Sequence, residues 1–95
     1  MFGSWDYSEV TAEGLPQQVE TGFETITQSG LVGASFTPVK YLGKQIANGT
    51  NYAVLAKAAP VVPNAPSHLV VIIFNQQGDI ANAVYKLIKI EDFSF

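Results

Sequence analysis

The sequence contains no cysteine, one histidine and five basic residues in a chain of 95. Without cysteine there is no disulfide, no thiolate nucleophile and no cysteine-bound metal, which fits a reducing, cytoplasmic setting. Five lysines against eight acidic residues leave a net charge of −3. That is a poor match for nucleic acid, whose binding rests on neutralising phosphates, and for anionic membrane surfaces. No apolar run approaches the roughly 18 residues of a membrane-crossing helix. The first residues also lack the basic start and apolar stretch of a signal peptide. The expectation is no nucleic-acid partner and no membrane.

Catalytic signals are equally sparse. His68 opens an apolar strand, where a lone histidine reads as structural, and any Ser/His/Asp arrangement would depend on it. No Gly-x-Ser-x-Gly elbow occurs. Glu20 and Glu24 stand at i, i+4 on a helix without partner ligands, which reads as a solvated face. No His/Asp/Glu group has metal-ligand spacing, and the glycines form no phosphate-cradling loop. Neither enzyme activity nor a cofactor is expected.

What the chain does have is 47% hydrophobic and 14% charged residues, the balance of one globular domain over residues 1–95. Leu15, Val19, Phe23 and Ile26 recur at helical spacing and predict an amphipathic helix ending near Ser29. Pro16 is tolerable only in a first turn, so the helix is expected to start near Glu13 to Leu15. Gly22 lies inside it, at a point of close packing against a sheet or at a weak point. Strands are predicted over about 36–46, 50–58, 68–75 and 82–93, after a short first strand or frayed end in which Trp5 and Tyr7 fold back on the core. Gly43 predicts a bulge. Residues 59–67, with three prolines, read as a loop, and Gln76-Gln77-Gly78-Asp79 as a turn. The outer side of the apolar run 68–75 alternates poorly, which anticipates a covered or paired face. The fold class is α+β, with an antiparallel sheet wrapped around one long helix.

Asn48-Gly49 is the strongest short-range hairpin signal in the chain, because a type I′ turn needs positive φ at both central residues. Residues 45–49 carry no charge. An uncharged tip of this kind suits a wedge entering another protein's groove. The stretch Gln45-Ile46-Ala47-Asn48-Gly49-Thr50-Asn51-Tyr52 resembles the Gln-x-Val-x-Gly hairpin of the cystatins, above all the single-domain, disulfide-free stefins, in which Thr-Asn-Tyr commonly follows. Gln45, Gly49, Thr50, Asn51 and Tyr52 match, while Ala47 replaces the central valine. Strand and helix order agree along nearly the whole chain.

The resemblance implies a reversible inhibitor of papain-like cysteine proteases that blocks the cleft sterically. It would use an N-terminal trunk (Phe2, Gly3), the tip (Gln45, Ile46, Ala47, Asn48, Gly49) and a second turn (Gln76, Gln77, Gly78), which lacks the proline found there in the family. The other reading is a cystatin-fold interaction module that does not inhibit. The expected state is a monomer able to exchange strands into a dimer by opening at Asn48-Gly49. Heating to just below the melting midpoint should then yield a dimer on size-exclusion chromatography that no longer inhibits papain. A protein that stays wholly monomeric, or a dimer that inhibits fully, would count against exchange.

Overall fold

A computed structural model describes residues 5–8, 14–29, 34–62 and 64–93. One helix, α1 (Gln17–Ser29), packs on a sheet of β1 (Ala34–Ile46), β2 (Thr50–Pro60), β3 (His68–Gln77) and β4 (Val84–Asp92). All neighbours are antiparallel and stand in chain order, β1-β2-β3-β4. This is the expected α+β architecture of a sheet wrapped around a helix.

The helix begins later than its spacing predicts. Pro16 stands just ahead of it, and its carbonyl accepts from the backbone N–H groups of Val19 and Glu20, both at 3.0 Å. Proline thus serves as the boundary, where its missing N–H costs nothing. Val19, Phe23 and Ile26 are buried as one face, with Leu15 packed beside them. They meet Tyr41, Tyr52, Val54, Ala56, Ala58, Val70, Ile72 and Phe74 from the sheet. Alternate residues of β2 and β3 therefore face the helix, as strand geometry requires. On this face one aromatic ring comes from each strand. Tyr41 lies 6.4 Å from Tyr52, Tyr52 lies 5.6 Å from Phe74, and Phe74 meets Tyr85 edge-on at 6.2 Å. Such tilted pairs add about 0.5–1.5 kcal/mol each beyond area burial.

Several boundaries differ from expectation. β1 starts at Ala34 and carries Pro38 inside it, which an edge strand tolerates because one side needs no ladder bond. Its register breaks at Pro38/Lys40 and again at Tyr41/Gly43, so the anticipated bulge at Gly43 is present. β2 runs on to Pro60, which leaves a shorter loop. Gln76 and Gln77 belong to β3, paired with Thr50 and with Tyr85 and Val84, rather than to a turn. The chain instead turns through Gly78 and a short 3-10 segment, Ile80–Asn82, whose start is capped by Asp79 accepting from the Asn82 N–H at 3.0 Å. Near the N-terminus, among the described residues, Asp6 alone bridges to Lys44 on β1. Tyr7 is exposed rather than folded onto the core, and Trp5 is half-buried. Gly30 and Gly33, which follow the helix in sequence, lie outside the described residues.

Gly22 marks the closest approach of helix and sheet. A Cβ there would stand 2.5 Å from Phe74 Cε2 and 2.7 Å from Tyr85 Cε1. Alanine is the better helix former by about 1 kcal/mol, but forcing a methyl into a packed core costs about 1–3 kcal/mol. Gly22→Ala is therefore expected to lower stability by up to about 2 kcal/mol in urea unfolding. A more stable variant would show that the helix can rise off the sheet without loss.

Candidate functional site

The hairpin between β1 and β2 closes with Ile46 opposite Thr50, so its loop is the three residues Ala47, Asn48 and Gly49. Asn48 and Gly49 take positive φ, +44° and +99°, as the dipeptide predicts, but in a longer loop than the two-residue type I′ turn. The Ala47 N–H donates to the Gly49 carbonyl at 3.0 Å. Gly49 is held close to β3: a Cβ on it would lie 2.5 Å from the Gln76 carbonyl oxygen.

A row of side-chain amides on the sheet face away from the helix fastens this loop. Asn51 Nδ2 donates to Gln45 Oε1 at 3.2 Å, and Asn75 Nδ2 donates to Asn51 Oδ1 at 2.8 Å. The same Asn75 amide faces the carbonyls of Asn48 at 3.3 Å and Ala47 at 3.5 Å. Gln77 Nε2 donates to the Asn48 carbonyl and, at 2.9 Å, to Asn75 Oδ1. Asn75 is buried, so these bonds form where water competes poorly. Gln45, Asn51, Asn75 and Gln77 thus link β1, β2 and β3 and clamp the loop carbonyls from behind. No single-strand reading of the sequence shows this clamp. Its residues come from three strands and meet only once the register is known.

The proposed contact residues separate into distinct settings. Ile46, Asn48 and Gly49 are exposed, and Ile46 is 63% exposed although apolar. Ala47 is buried, at 6% exposure, so its side chain faces the fold rather than solvent. Gln45 is half-buried in the amide row. Gln77 is exposed at its clamp position, and Gly78 is exposed in the second turn. Gln76 is turned to the helix side, with its Oε1 buried and without a hydrogen-bond partner among the described residues. Phe2 and Gly3 lie outside the described residues.

Three chain segments nevertheless converge at one end of the sheet. The loop 47–49 and the turn after Gln77 adjoin through the pairing of Thr50 with Gln76. The bridge at Asp6 is antiparallel to β1, with the Asp6 N–H donating to the Lys44 carbonyl at 2.6 Å and the Lys44 N–H returning to Asp6 at 3.0 Å. Trp5, the described residue before Asp6, therefore lies toward the hairpin loop. Trp5 shares with Gln45, Ala47 and Asn48 the wall of an open groove of about 680 Å³.

The Asp6 carboxylate accepts from the Ser8 N–H at 2.9 Å, and this bond holds its pKa below the usual carboxylate range, with help from Lys44. A depressed carboxylate stabilises the turn at neutral pH and loses that effect as pH falls through the carboxylate range. Among the described residues, no three His, Asp or Glu side chains gather to hold a metal. No helix among the described residues is long and apolar enough to cross a membrane. Compared with known protein families, curated proteins and solved structures, the chain matches none.

Replacing Asn75 by leucine, similar in volume, strips the loop carbonyls of a buried donor. The expected cost is about 1–3 kcal/mol, with faster amide exchange across residues 46–50. Unchanged exchange there would show that Gln77 alone holds the loop.

Proposed function

We propose that this protein is a reversible inhibitor of papain-like cysteine proteases. The observation that supports the reading most is the gathering of the loop 47–49, the turn after Gln77 and the N-terminal approach through Trp5 at one end of the sheet. Together these would enter the cleft as a wedge, with Phe2 and Gly3 continuing along it. Ile46 offers an exposed apolar side chain at the tip, and Asn48 and Gly49 offer uncharged backbone. Occlusion of this kind is steric and asks for no catalytic group or cofactor from the inhibitor. The amide clamp fixes the tip before contact, which lowers the ordering cost of binding. It also opposes strand exchange, because straightening the loop would release the bonds from Asn75 and Gln77.

A second reading, a non-inhibitory interaction module of the same fold, is favoured by two placements. The Ala47 side chain is buried and Gln76 is turned inward. Two positions of the implied contact set are thereby taken off the surface.

Titrating papain with the purified protein separates the readings. An inhibitor abolishes peptidase activity at a defined ratio, whereas undiminished activity at large excess leaves the module. Ile46→Asp is expected to weaken inhibition by about tenfold or more, since a carboxylate would be desolvated in the cleft. Because Ile46 is exposed, the melting temperature should hardly move. Equal inhibition by this variant would remove the hairpin tip from the contact.

A further inference from the structure

The sheet has two edges of different character. Along β1, Pro38, two register breaks and the bridge from Asp6 interrupt the edge. Along β4, the described residues place no strand on the free side. Yet this strand and the residue after it carry Val84, Ile88, Ile90 and Phe93, all exposed, at 65%, 49%, 37% and 39%. We propose that β4 is a self-association edge, at which two copies pair antiparallel about a twofold axis between Ile88 and Lys89.

The strand's own irregularity selects this register. Ile88 is an extra residue, since Phe74 pairs with Leu87 while its neighbour Ile73 pairs with Lys89. Tyr85, Leu87, Ile90 and Asp92 therefore lie on the helix side, opposite Gln76, Phe74, Ile72 and Val70. Val84, Lys86, Lys89 and Glu91 lie on the other face, and Ile88 joins Lys86 and Lys89 in lining the outer groove. In a regular strand, an axis between two adjacent residues would set each side chain against one on the opposite face. The bulge removes that mismatch. About an axis between Ile88 and Lys89, Leu87 meets Ile90 of the second copy and Tyr85 meets Asp92, all on the helix side. Lys86 then meets Glu91, and Val84 meets Phe93.

Backbone direction agrees. The Phe93 N–H donates to the Leu69 carbonyl, so Leu69 turns its polar groups toward β4. Groups alternate along a strand, and β3 pairs with β2 without a register break. Val70, Ile72, Phe74 and Gln76 thus turn toward β2. Their β4 partners, Asp92, Ile90, Leu87 and Tyr85, point N–H and C=O to the free edge. These are the residues the proposed register sets opposite one another, so each pair exchanges both backbone hydrogen bonds.

Charge agrees as well. Lysines and a bulge on an edge strand ordinarily keep copies apart. Here Lys86 makes no ion pair among the described residues, while Glu91 uses Oε1 for Lys89 at 2.7 Å and keeps its second oxygen. Pairing the strands brings Lys86 to Glu91 twice, once on each side of the axis, and covers the exposed apolar side chains. Both helices lie on one face, and the two hairpin loops point in opposite directions.

The test is sedimentation velocity on the full chain over rising concentration, with circular dichroism to verify the fold. The wild type is expected to form a dimer that dissociates on dilution and weakens between about 50 mM and about 500 mM salt. Lys86→Glu and Glu91→Lys each replace two attractions by two repulsions and should weaken self-association by about tenfold or more. Mixing these two variants should restore dimer as a heterodimer, because every contact then joins opposite charges. The doubly exchanged chain, Lys86→Glu with Glu91→Lys, should also dimerise. A wild type that remains monomeric to about 1 mM, a dimer insensitive to both salt and the single variants, or a mixture that fails to associate would each overturn the proposal. A strand-exchanged dimer belongs to the second outcome, since it survives dilution and ignores both charges.

Discussion

The fold depends on how closely one short helix approaches the middle of the sheet. Four aromatic rings, Tyr41, Tyr52, Phe74 and Tyr85, cross the sheet as a row with one ring from each strand. Gly22 sits over the last two, with no room for a methyl group. Val19 and Phe23 then join Val54, Ala56, Ala58 and Ile72 in one buried cluster. A helix of 13 residues is too short to persist alone in water, so its order is a product of this contact. The sheet in turn has no other described layer on that side, and each element is stable through the other.

Much of this layout was legible in the sequence, because it rests on periodicity and on turn residues. Helical spacing at Val19, Phe23 and Ile26 identified the buried face, and Asn48-Gly49 located the hairpin. The continuous run before Asn75 fits an internal strand. The misreadings share one cause, local composition overridden by pairing. Two glutamines before a glycine look like a turn, yet Gln76 has strand partners on both sides and Gln77 pairs with Val84 of β4. Pro16 looked like a first-turn residue and is the boundary itself. The amide clamp and the bulge at Ile88 were not legible at all, because each is a relation between strands.

The candidate site shows the same division. Its chain segments follow from element order, whereas the direction of each side chain follows from register. Ala47 and Gln76 belong to the segments that the family resemblance picks out, but their side chains turn toward the protein. Ile46, beside them, faces solvent. The exposed part of the hairpin tip is thus narrower than the motif, and consists of Ile46, Asn48 and Gly49.

The order of the strands bears on how the chain reaches this state. Each strand pairs with the next in sequence, so every ladder closes across a short connection and none waits for a distant segment. Chains dominated by such local pairings reach the native state quickly. The helix precedes the whole meander, and its apolar face has nothing to meet until β2 and β3 stand side by side. On a ribosome the helical segment emerges before the sheet and must wait for β2 and β3. Its modest length and polar outer face, with Glu20 and Glu24 toward solvent, keep that interval free of a large sticky surface.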